Sequence, residues 1–325
     1  MIPDELFLKI VRSAVKAPSV HNAQPWLFSR SDDVFFILPD FQRALPVADP
    51  QHRELFISLG CAVENAMIAA RFYGYVPAFH FDSCNNRFMI ELSLRKDANQ
   101  AAPELFSYIR YRQTNRNLYD DITIPHDDGI ALKSAVSLPG NDVTFYSGEE
   151  EIRRLTPYIL DAGSIQMSDP AYRRELIHWM RFSQHEAMRK GDGLYATCMG
   201  LPPLGRTAGS FLLRNWVTAK SVEKRVRKQL DNTATMALIT SAKDDPAHWI
   251  ETGICFQRFA LTATRLNLNH SFMNAPCQVP EVRAAMMNEM AVEGAYPQLL
   301  IRLGYSDKIA YPFRRRIHDV IITNY

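Results

Sequence analysis

The sequence lacks long apolar runs and any excess of charge. No window approaches about 18 uninterrupted apolar residues, so we expect no membrane-spanning helix. The opening stretch MIPDELFLKIVRSAV has neither the basic start nor the continuous apolar core of a signal peptide. Lys and Arg number 37 against 35 Asp and Glu, which leaves no surplus to neutralise the phosphates of a nucleic acid. We therefore predict a cytoplasmic protein without a membrane or nucleic-acid partner.

Motifs of several catalytic classes are also missing. The five cysteines are odd in number and contain no C-x-x-C pair, which favours reduced thiols. The nine histidines include no H-E-x-x-H and no close Cys or carboxylate partner, so we expect no metal site. The absence of a G-x-S-x-G elbow argues against a hydrolase. GDGLYA (191–196) follows a charged helical stretch instead of a strand, and two prolines spoil GLPPLGRT (200–207) as a phosphate loop.

What the sequence does have is a large apolar fraction, 47% of 325 residues, which is enough for a sizeable core. Helical periodicity predicts helices at 4–16, 52–74, 103–111, 127–137, 170–190, 210–230, 246–268 and 280–292. Alternating and β-branched stretches predict strands at 34–38, 87–94, 143–146, 235–241, 298–305 and 318–323.

An internal repeat connects the two longest apolar helices. RELFISLGCAVENAMIAARFYGY (53–75) aligns without a gap with PAHWIETGICFQRFALTATRLNL (246–268), which places Gly60 on Gly253. A helix that is apolar around most of its circumference must be buried on several sides. We therefore predict a pseudo-two-fold core in which these helices pack against each other. A chance similarity between two buried helices is the alternative.

A proline-stiffened loop, APSVHNAQPW (17–26), follows the first predicted helix. Pro18 and Pro25 restrict its backbone, while Ser19 and Asn22 can offer hydrogen bonds from a tight turn. Such a loop can hold a planar heterocycle through backbone and amide groups. It can equally be an ordinary loop around a packed tryptophan.

Two arginine clusters lie further along the chain. RYRQTNR (110–116) places three arginines around a hydroxyl and amides, and guanidinium forks match phosphate oxygens. PFRRR (312–316) is a basic triplet before an apolar stretch. Taken singly, each cluster is as well explained by solvated or salt-bridged surface charge. Together with the proline-stiffened loop, they favour a phosphorylated planar cofactor.

The loop, the RQTNR turn, the helix at 53–75 and the ending YPQLLIRLGY…PFRRR resemble the nitroreductase family, most closely its fused, Acg-like branch. This resemblance runs from residue 5 to 322. It implies an α+β fold in which a mixed sheet is flanked by helices and duplicated as a pseudo-dimer within one chain. The two halves would be residues 1–105 and 106–325, intertwined in one globular unit. The second would carry a lid-like insertion at 180–230, whose basic stretch at 214–228 is either a lid over the cofactor or a surface helix.

The resemblance also implies the residues of an FMN site. In the family, an Arg-x-Ser-x-Arg turn of one subunit holds the FMN phosphate and ribityl chain, and a Pro-Ser-x-x-Asn loop of the other subunit reaches the ring. The matching positions here are Arg112, Gln113, Thr114 and Arg116 for the turn, and Pro18, Ser19, Val20 and Asn22 for the loop. Phe272, Met273 and Asn274 stand where the family's backbone approaches the ring, although they depart from its common Glu-Gly pattern. Arg314 and Arg315 match the basic closing motif, with Arg316 where proline is expected.

Each motif occurs once, so the resemblance implies one FMN site per chain and no catalytic side chain. It implies an oxidoreductase that uses NADH or NADPH to reduce nitroaromatics, quinones or similar flat acceptors by way of flavin N5. The alternative is a protein that stores or sequesters FMN with little turnover. Because the fusion removes the usual need for a dimer, we expect a monomer or a weak homodimer.

Overall fold

The structure is a computed structural model and describes residues 2–84, 87–97, 99–216, 218–289 and 295–323. Its helices are α1 (Asp4–Ala14), α2 (Arg53–Phe72), α3 (His126–Ala135), α4 (Glu149–Ser168), α5 (Pro170–Trp179), α6 (Gln184–Lys190), α7 (Arg206–Trp216), α8 (Ala219–Leu230), α9 (Pro246–Arg265), α10 (Ala275–Gln278) and α11 (Pro280–Glu289). Its strands are β1 (Trp26–Ser31), β2 (Val34–Pro39), β3 (Tyr75–Cys84), β4 (Arg87–Lys96), β5 (Asn141–Ser147), β6 (Met180–Arg181), β7 (Leu194–Tyr195), β8 (Thr235–Ser241), β9 (Asn269–Phe272) and β10 (Tyr296–Gly304).

The two halves of the chain have the same topology. In the first half, α1, β1, β2, α2, β3 and β4 follow one another, and the antiparallel sheet has the order β1-β2-β4-β3. In the second half, α3, β5, β8, α9, β9 and β10 take the same places, and the antiparallel sheet has the order β5-β8-β10-β9. The predicted α+β fold and internal duplication are therefore confirmed, although the strand pairs of these two sheets are antiparallel where a mixed sheet was expected. The boundary between the halves at residues 105 and 106 stays a prediction.

The central helices α2 and α9 pack against each other in the core. Both are apolar on nearly all sides, and the main apolar cluster joins residues of both helices to the inner faces of the two sheets. The Phe56 and Trp249 rings, which are equivalent in the repeat, lie 6.1 Å apart. By length and composition α2 could cross a membrane, but 89% of its most apolar window is buried inside the protein. It is therefore a core helix.

A long connection in the second half has no counterpart in the first. A two-residue turn joins β1 to β2, whereas residues 148–234 join β5 to β8 and contain α4 to α8 with the short parallel pair β6–β7. The connection thus begins before the insertion expected at 180–230. The helix α4 was not predicted, because Pro157 interrupts its pattern, yet three glutamates in its first turn suit the positive end of a helix.

Most of the remaining predicted elements are present, but some differ from the prediction. The predicted helix at 103–111 is a short 3-10 helix over Glu104–Tyr108, and the stretches at 170–190 and 210–230 are each split into two helices. The strands β1, β3 and β9 were missed, as were the two-residue strands β6 and β7. The predicted strand at 318–323 is a 3-10 turn, with a single bridge from Ile321 to Phe28. Residues 290–292 of the last predicted helix lie outside the described residues.

The end of the chain attaches to the first half. Phe28 of β1 donates its amide to the Val320 carbonyl at 2.7 Å and accepts from the Ile322 amide at 2.9 Å. The segment that precedes this contact passes over the loop after α1. This path brings the PFRRR motif to the start of the chain.

Candidate functional site

The loop after α1 has a strained backbone. His21, Asn22 and Gln24 have φ angles of 50°, 55° and 55°, a left-handed region that is costly for residues other than glycine. The Ser19 hydroxyl oxygen fixes the turn by accepting a hydrogen bond from the Gln24 amide at 2.9 Å. Pro18 is buried at the start of the loop. Strain of this kind persists only where surrounding contacts hold it, and it is concentrated at functional sites.

Distant segments of the chain supply those contacts. The Asn22 side-chain amide donates to the carbonyls of Gly193, at 3.1 Å, and Phe313, at 3.0 Å. The Gln24 side-chain amide donates to the Gly191 carbonyl at 2.8 Å. The long connection and the chain end therefore clamp the loop together. Both amide hydrogens of Asn22 serve this clamp, so its role is to hold the loop's shape.

Val20 is part of a small apolar cluster above this loop. It packs with Ala23, Leu45 and Ala48 of the first half and with Trp179 at the end of α5. The long connection thus covers the loop on this side as well. The structure brings the predicted loop residues together. The side chains of Ser19 and Asn22, however, form their hydrogen bonds with other parts of the protein.

The RQTNR turn lies beside that loop, in a position that joins the two halves. Arg112 is 5% exposed, and its Nη2 donates to the Lys16 carbonyl at 3.3 Å. Its Nε and Nη1 are buried and have no hydrogen-bond partner among the described residues. Thr114 forms a backbone bridge with His270 of β9, which fixes the turn against the second sheet. Gln113 accepts from the Ile309 amide at 3.0 Å.

Arg314 and Arg315 point to different partners. Arg314 donates to the Asn22 side-chain oxygen and, at 3.2 Å, to the Lys16 carbonyl, which Arg112 also contacts. Arg315 is turned away and forms an ion pair with Asp40 at 3.1 Å. Its guanidinium also donates to backbone carbonyls of Gln24, Trp26 and Asp319. Arg314 therefore faces the Arg112 side chain, whereas Arg315 fastens the chain end to the first half.

Around Arg112 and Arg314, six cationic side chains have no carboxylate partner among the described residues. In the described part of the chain, none of them forms an ion pair or a hydrogen bond with Asp or Glu, and their hydrogen-bond acceptors are backbone carbonyls and the Asn22 side chain. They are Lys16, Arg112, Arg116, Arg225, Arg302 and Arg314. Charge taken out of water is costly unless it is paired. We call this group the arginine cluster, and its composition is that of an anion-binding site.

Burial, and after it the charges of the cluster, keeps the neighbouring histidines neutral. Burial lowers the pKa of Arg112 to about 10, so its guanidinium stays charged at neutral pH. Burial, followed by the charges of Arg112 and Arg116, lowers the pKa of His270 to about 3. Burial and Arg116 lower the pKa of His21 to about 4. Both rings are therefore uncharged near neutral pH and do not serve as acids there.

Comparison with known proteins adds a second line of information. No protein-family model matches the chain. A Mycobacterium tuberculosis H37Rv protein, named "Putative NAD(P)H nitroreductase", is 27% identical over 339 aligned positions, which cover 98% of this chain and 92% of the relative. An uncharacterized protein of the same strain is 22% identical over 95% of this chain and 90% of its own length. The chain is therefore similar, over nearly its whole length, to a protein named as a nitroreductase.

Solved nitroreductase structures overlap less of the chain. The FMN-dependent nitroreductase NfnB of Mycobacterium smegmatis, solved with NADPH, is 14% identical and covers 67% of this chain and 96% of its own, at a TM-score of 0.45. A Bacteroides fragilis nitroreductase with bound FMN is 16% identical and covers 66% of this chain and 94% of its own, at a TM-score of 0.39. The relationship to nitroreductases is therefore carried by the sequence match.

The segment expected beside the flavin ring, residues 272–274, makes its contacts within the protein. The Met273 amide donates to the Leu300 carbonyl at 2.8 Å. The Asn274 side chain donates to Glu54 and accepts from the Leu300 amide at 2.9 Å. Phe272 packs on the Phe256 ring, with centroids 5.1 Å apart. The polar groups named here are turned to β10 and α2, not to the arginine cluster.

The sequence alone did not predict every member of the arginine cluster. Arg302 lies in the middle of β10, is 0% exposed, and stacks on Tyr119 with its guanidinium carbon 4.0 Å from the ring centroid. Its position in an otherwise apolar strand is a signal, because charged residues are rarely buried without a role. Arg225 of α8 was noted only as part of the basic stretch at 214–228, interpreted as either a lid or a surface helix, and Lys16 gave no signal.

Proposed function

We propose that this chain is an FMN-binding oxidoreductase that takes electrons from NADH or NADPH and passes them to a small, flat acceptor. Nitroaromatics and quinones are the proposed acceptor classes. The observation that supports this function is the buried guanidinium of Arg112, which has two nitrogen atoms without a partner beside a second arginine, Arg314. The name of the M. tuberculosis relative agrees with it.

The residues present fit the phosphate end of FMN. A phosphate monoester carries a charge between about −1.5 and −2 at neutral pH and accepts several hydrogen bonds. Arg112 has donors to spare, and Arg314 faces the same Lys16 carbonyl, so these two side chains would hold the phosphate. The strained loop at Ser19 to Gln24 comes from the first half, so it would meet the ring across the interface between the halves.

FMN supplies the redox chemistry when it is bound, and the protein binds and orients it. Among the described residues near the cluster, the two histidines and Cys198 are not suited to act as a nucleophile or base at neutral pH. His21 and His270 are neutral and buried. Burial raises the pKa of Cys198, so its thiol stays protonated. We therefore assign no catalytic side chain and give the cluster a binding role.

The first test is the cofactor itself. We expect the purified protein to be yellow, and acid extraction to release FMN at one molecule per chain. One molecule is expected because the proline-stiffened loop and the arginine turn each occur once. Extraction of FAD, the absence of flavin on reconstitution, or a ratio near two would contradict the proposal.

The second test separates turnover from storage. Under anaerobic conditions we expect NADH or NADPH to bleach the flavin absorbance, and a nitroaromatic or quinone to restore it. A protein that holds one FMN per chain but is not bleached by either nucleotide would favour flavin storage. We also propose a monomer or weak homodimer, and light scattering of the purified protein tests this oligomeric state. No membrane partner is proposed.

A further inference from the structure

Asn274 joins the segment expected beside the flavin ring to a carboxylate of the first half. Its side-chain oxygen accepts from the Leu300 amide of β10 at 2.9 Å, and its side-chain nitrogen donates to Glu54 of α2. The amide group cannot be turned around, because its NH2 would then meet the N–H of Leu300. Asn274 therefore needs a hydrogen-bond acceptor at position 54.

The other oxygen of Glu54 is held in the same way. Gln278 of α10 donates its Nε2 to Glu54 Oε2 at 2.9 Å, while its own Oε1 accepts from Gln166 at 2.7 Å. Arg53 forms an ion pair with Glu54 Oε1 at 3.1 Å. Both oxygens thus face N–H donors, and an ionised carboxylate can accept on both. Burial raises the pKa of Glu54, and the Arg53 charge and the amide donors act against this rise.

Glu54 also lies near the proline-stiffened loop at 17–26. Tyr172 of α5 packs against the small apolar cluster to which Ala23 of this loop belongs and which Val20 also contacts. Burial, and after it the charge of Glu54, raises the pKa of the same tyrosine, so Tyr172 and Glu54 lie near each other. The two segments expected at the ring, the loop and residues 272–274, therefore approach each other around the start of α2.

We propose that Glu54 is a positioning residue for the flavin ring, because it holds Asn274 and thereby fixes the backbone of residues 272–274 from the other half of the chain. This inference rests on the proposed function, which supplies the flavin. Glu54 acts through Asn274 and not through contact with the ring. The first half then shapes the ring end of the site twice, through the loop and through Glu54.

The first variant is Glu54→Gln, which keeps the size of the side chain. Glutamine offers one oxygen and one NH2 group, so it cannot accept from both Asn274 and Gln278. Because the segment is then no longer fixed, we expect the flavin-free protein to bind FMN and riboflavin more weakly by a similar factor, about 10-fold or more. An equal loss marks the ring end, since riboflavin lacks the phosphate. Quenching of flavin fluorescence gives both constants.

The double variant Glu54→Gln with Asn274→Asp reverses the direction of the hydrogen bond. The new glutamine can donate to the new aspartate, which still accepts from the Leu300 amide, and the glutamine oxygen remains for Gln278. The affinity for both flavins should therefore recover most of its loss. The flavin midpoint potential, measured at saturating FMN, should shift in Glu54→Gln and return towards the wild-type value in the double variant.

Glu64→Gln is the matched control. Glu64 is a second buried carboxylate of α2, and it pairs with Arg258 at 2.8 Å. Its loss should lower the free energy of unfolding but leave both flavin affinities and the midpoint potential at their wild-type values. Asn274→Ala removes the same hydrogen bond as Glu54→Gln and keeps the pair of Glu54 with Arg53. It should weaken both flavins, and it decides the question if Glu54→Gln does not fold.

Three outcomes would overturn the inference and leave the FMN proposal intact. Folded Glu54→Gln or Asn274→Ala protein could bind both flavins as the wild type does. The double variant could bind them no better than Glu54→Gln, or Glu64→Gln could weaken them as much, which would assign the effect to the stability of α2. A loss confined to FMN would assign Glu54 to the phosphate end. A wild-type protein that binds neither flavin would instead contradict the proposed function.

Discussion

Gly60 of α2 and Gly253 of α9 face each other where the two central helices cross. A Cβ atom at Gly60 would lie 2.0 Å from the Ile250 carbonyl oxygen, and one at Gly253 would lie 2.0 Å from the Ile57 carbonyl oxygen. In the gap-free repeat, Gly60 is equivalent to Gly253 and Ile57 to Ile250. The two contacts are thus related by the pseudo-two-fold axis, as equivalent contacts are in the interface of a two-fold dimer.

We expect Gly60→Ala to destabilise the protein strongly. The new methyl would overlap a backbone carbonyl in a helix that cannot move without disturbing the core, and overpacking of this kind costs about 3 kcal/mol or more. Gly253→Ala should cost a similar amount, because its contact is equivalent. Urea unfolding followed by circular dichroism measures both.

Gly163→Ala is the matched control for the glycine variants. Gly163 lies inside α4, and a Cβ atom added to it would have no neighbouring atom within 4 Å. Alanine should therefore be neutral there or stabilise by about 0.5–1 kcal/mol. Equal stability of Gly60→Ala and Gly163→Ala would show that the helices do not cross closely at Gly60.

We expect Arg112→Ala to weaken FMN binding far more than riboflavin binding. Riboflavin lacks the phosphate, so it does not depend on the guanidinium proposed to hold that group. Loss of a charge-assisted contact costs about 1.5–3 kcal/mol, or roughly 10- to 150-fold in affinity. Arg110→Ala is the control, because Arg110 is exposed and rests on Tyr111. Quenching of flavin fluorescence gives both constants. Equal weakening of the two ligands would mean that Arg112 supports the fold or the ring.

Arg314 and Arg315 should separate binding from stability. Arg314→Gln should weaken FMN binding, since its guanidinium faces Arg112, and should change the unfolding free energy little. Arg315→Gln should lower the unfolding free energy by about 3–5 kcal/mol, because it leaves Asp40 buried without its partner. Thermal unfolding and FMN titration of both variants test the assignment. A stable Arg315→Gln protein with lost FMN affinity would reverse the two roles.

His270 should make the protein less stable in mild acid. Its folded pKa is lowered to about 3, whereas an unfolded histidine titrates near 6.5, so the unfolded chain takes up the proton first as pH falls. Its contribution is complete above pH of about 6.5 and is lost below it, by up to about 1.4 kcal/mol per pH unit. His270→Asn should therefore flatten the stability profile between pH 7 and 5 at saturating FMN, measured by urea unfolding. His80→Asn, at an exposed position, should follow the wild-type slope. Parallel slopes for both variants would contradict the assignment.

The sequence was most informative where a pattern repeats. Two long apolar helices with a small residue at the same place predicted that α2 and α9 pack against each other. The strands β1, β3 and β9 were missed because their pairing is set by the sheets, not by local alternation. Most of the arginine turn and the strained loop could be read from residue types alone. The different roles of Arg314 and Arg315 could not be predicted, because neighbouring arginines are distinguished only by their partners in the folded protein.

Arg302 and Arg225 illustrate the same limit. Arg302 could be suspected, because a charge inside an apolar strand is unusual. Arg225 looks like any exposed cation on a basic helix, and only the contact between Gln229 and Arg116 places it in the cluster. Sites that combine segments far apart in the chain depend on tertiary contacts, which no local pattern contains.

The last prediction is that the two halves form one site and do not bind flavin alone. The strained loop lies near the start of the chain, whereas Arg112 and Arg314 belong to the second half. The chain end also fastens to the first half, through Arg315 with Asp40 and through backbone bonds to Phe28. Expression of residues 1–105 and 106–325 separately should therefore give insoluble or flavin-free products.

The physical reason is the burial between α2 and α9. At about 25 cal/mol per Å² of apolar surface, the loss of even about 1,000 Å² of burial costs roughly 25 kcal/mol before entropy is counted. That exceeds the net stability of a typical domain, about 5–15 kcal/mol. Co-expression of the two fragments should restore a yellow complex, because both faces are then covered. A soluble 106–325 fragment that binds FMN with near-native affinity would place the whole site in one half, and the pseudo-dimer would then have no part in binding.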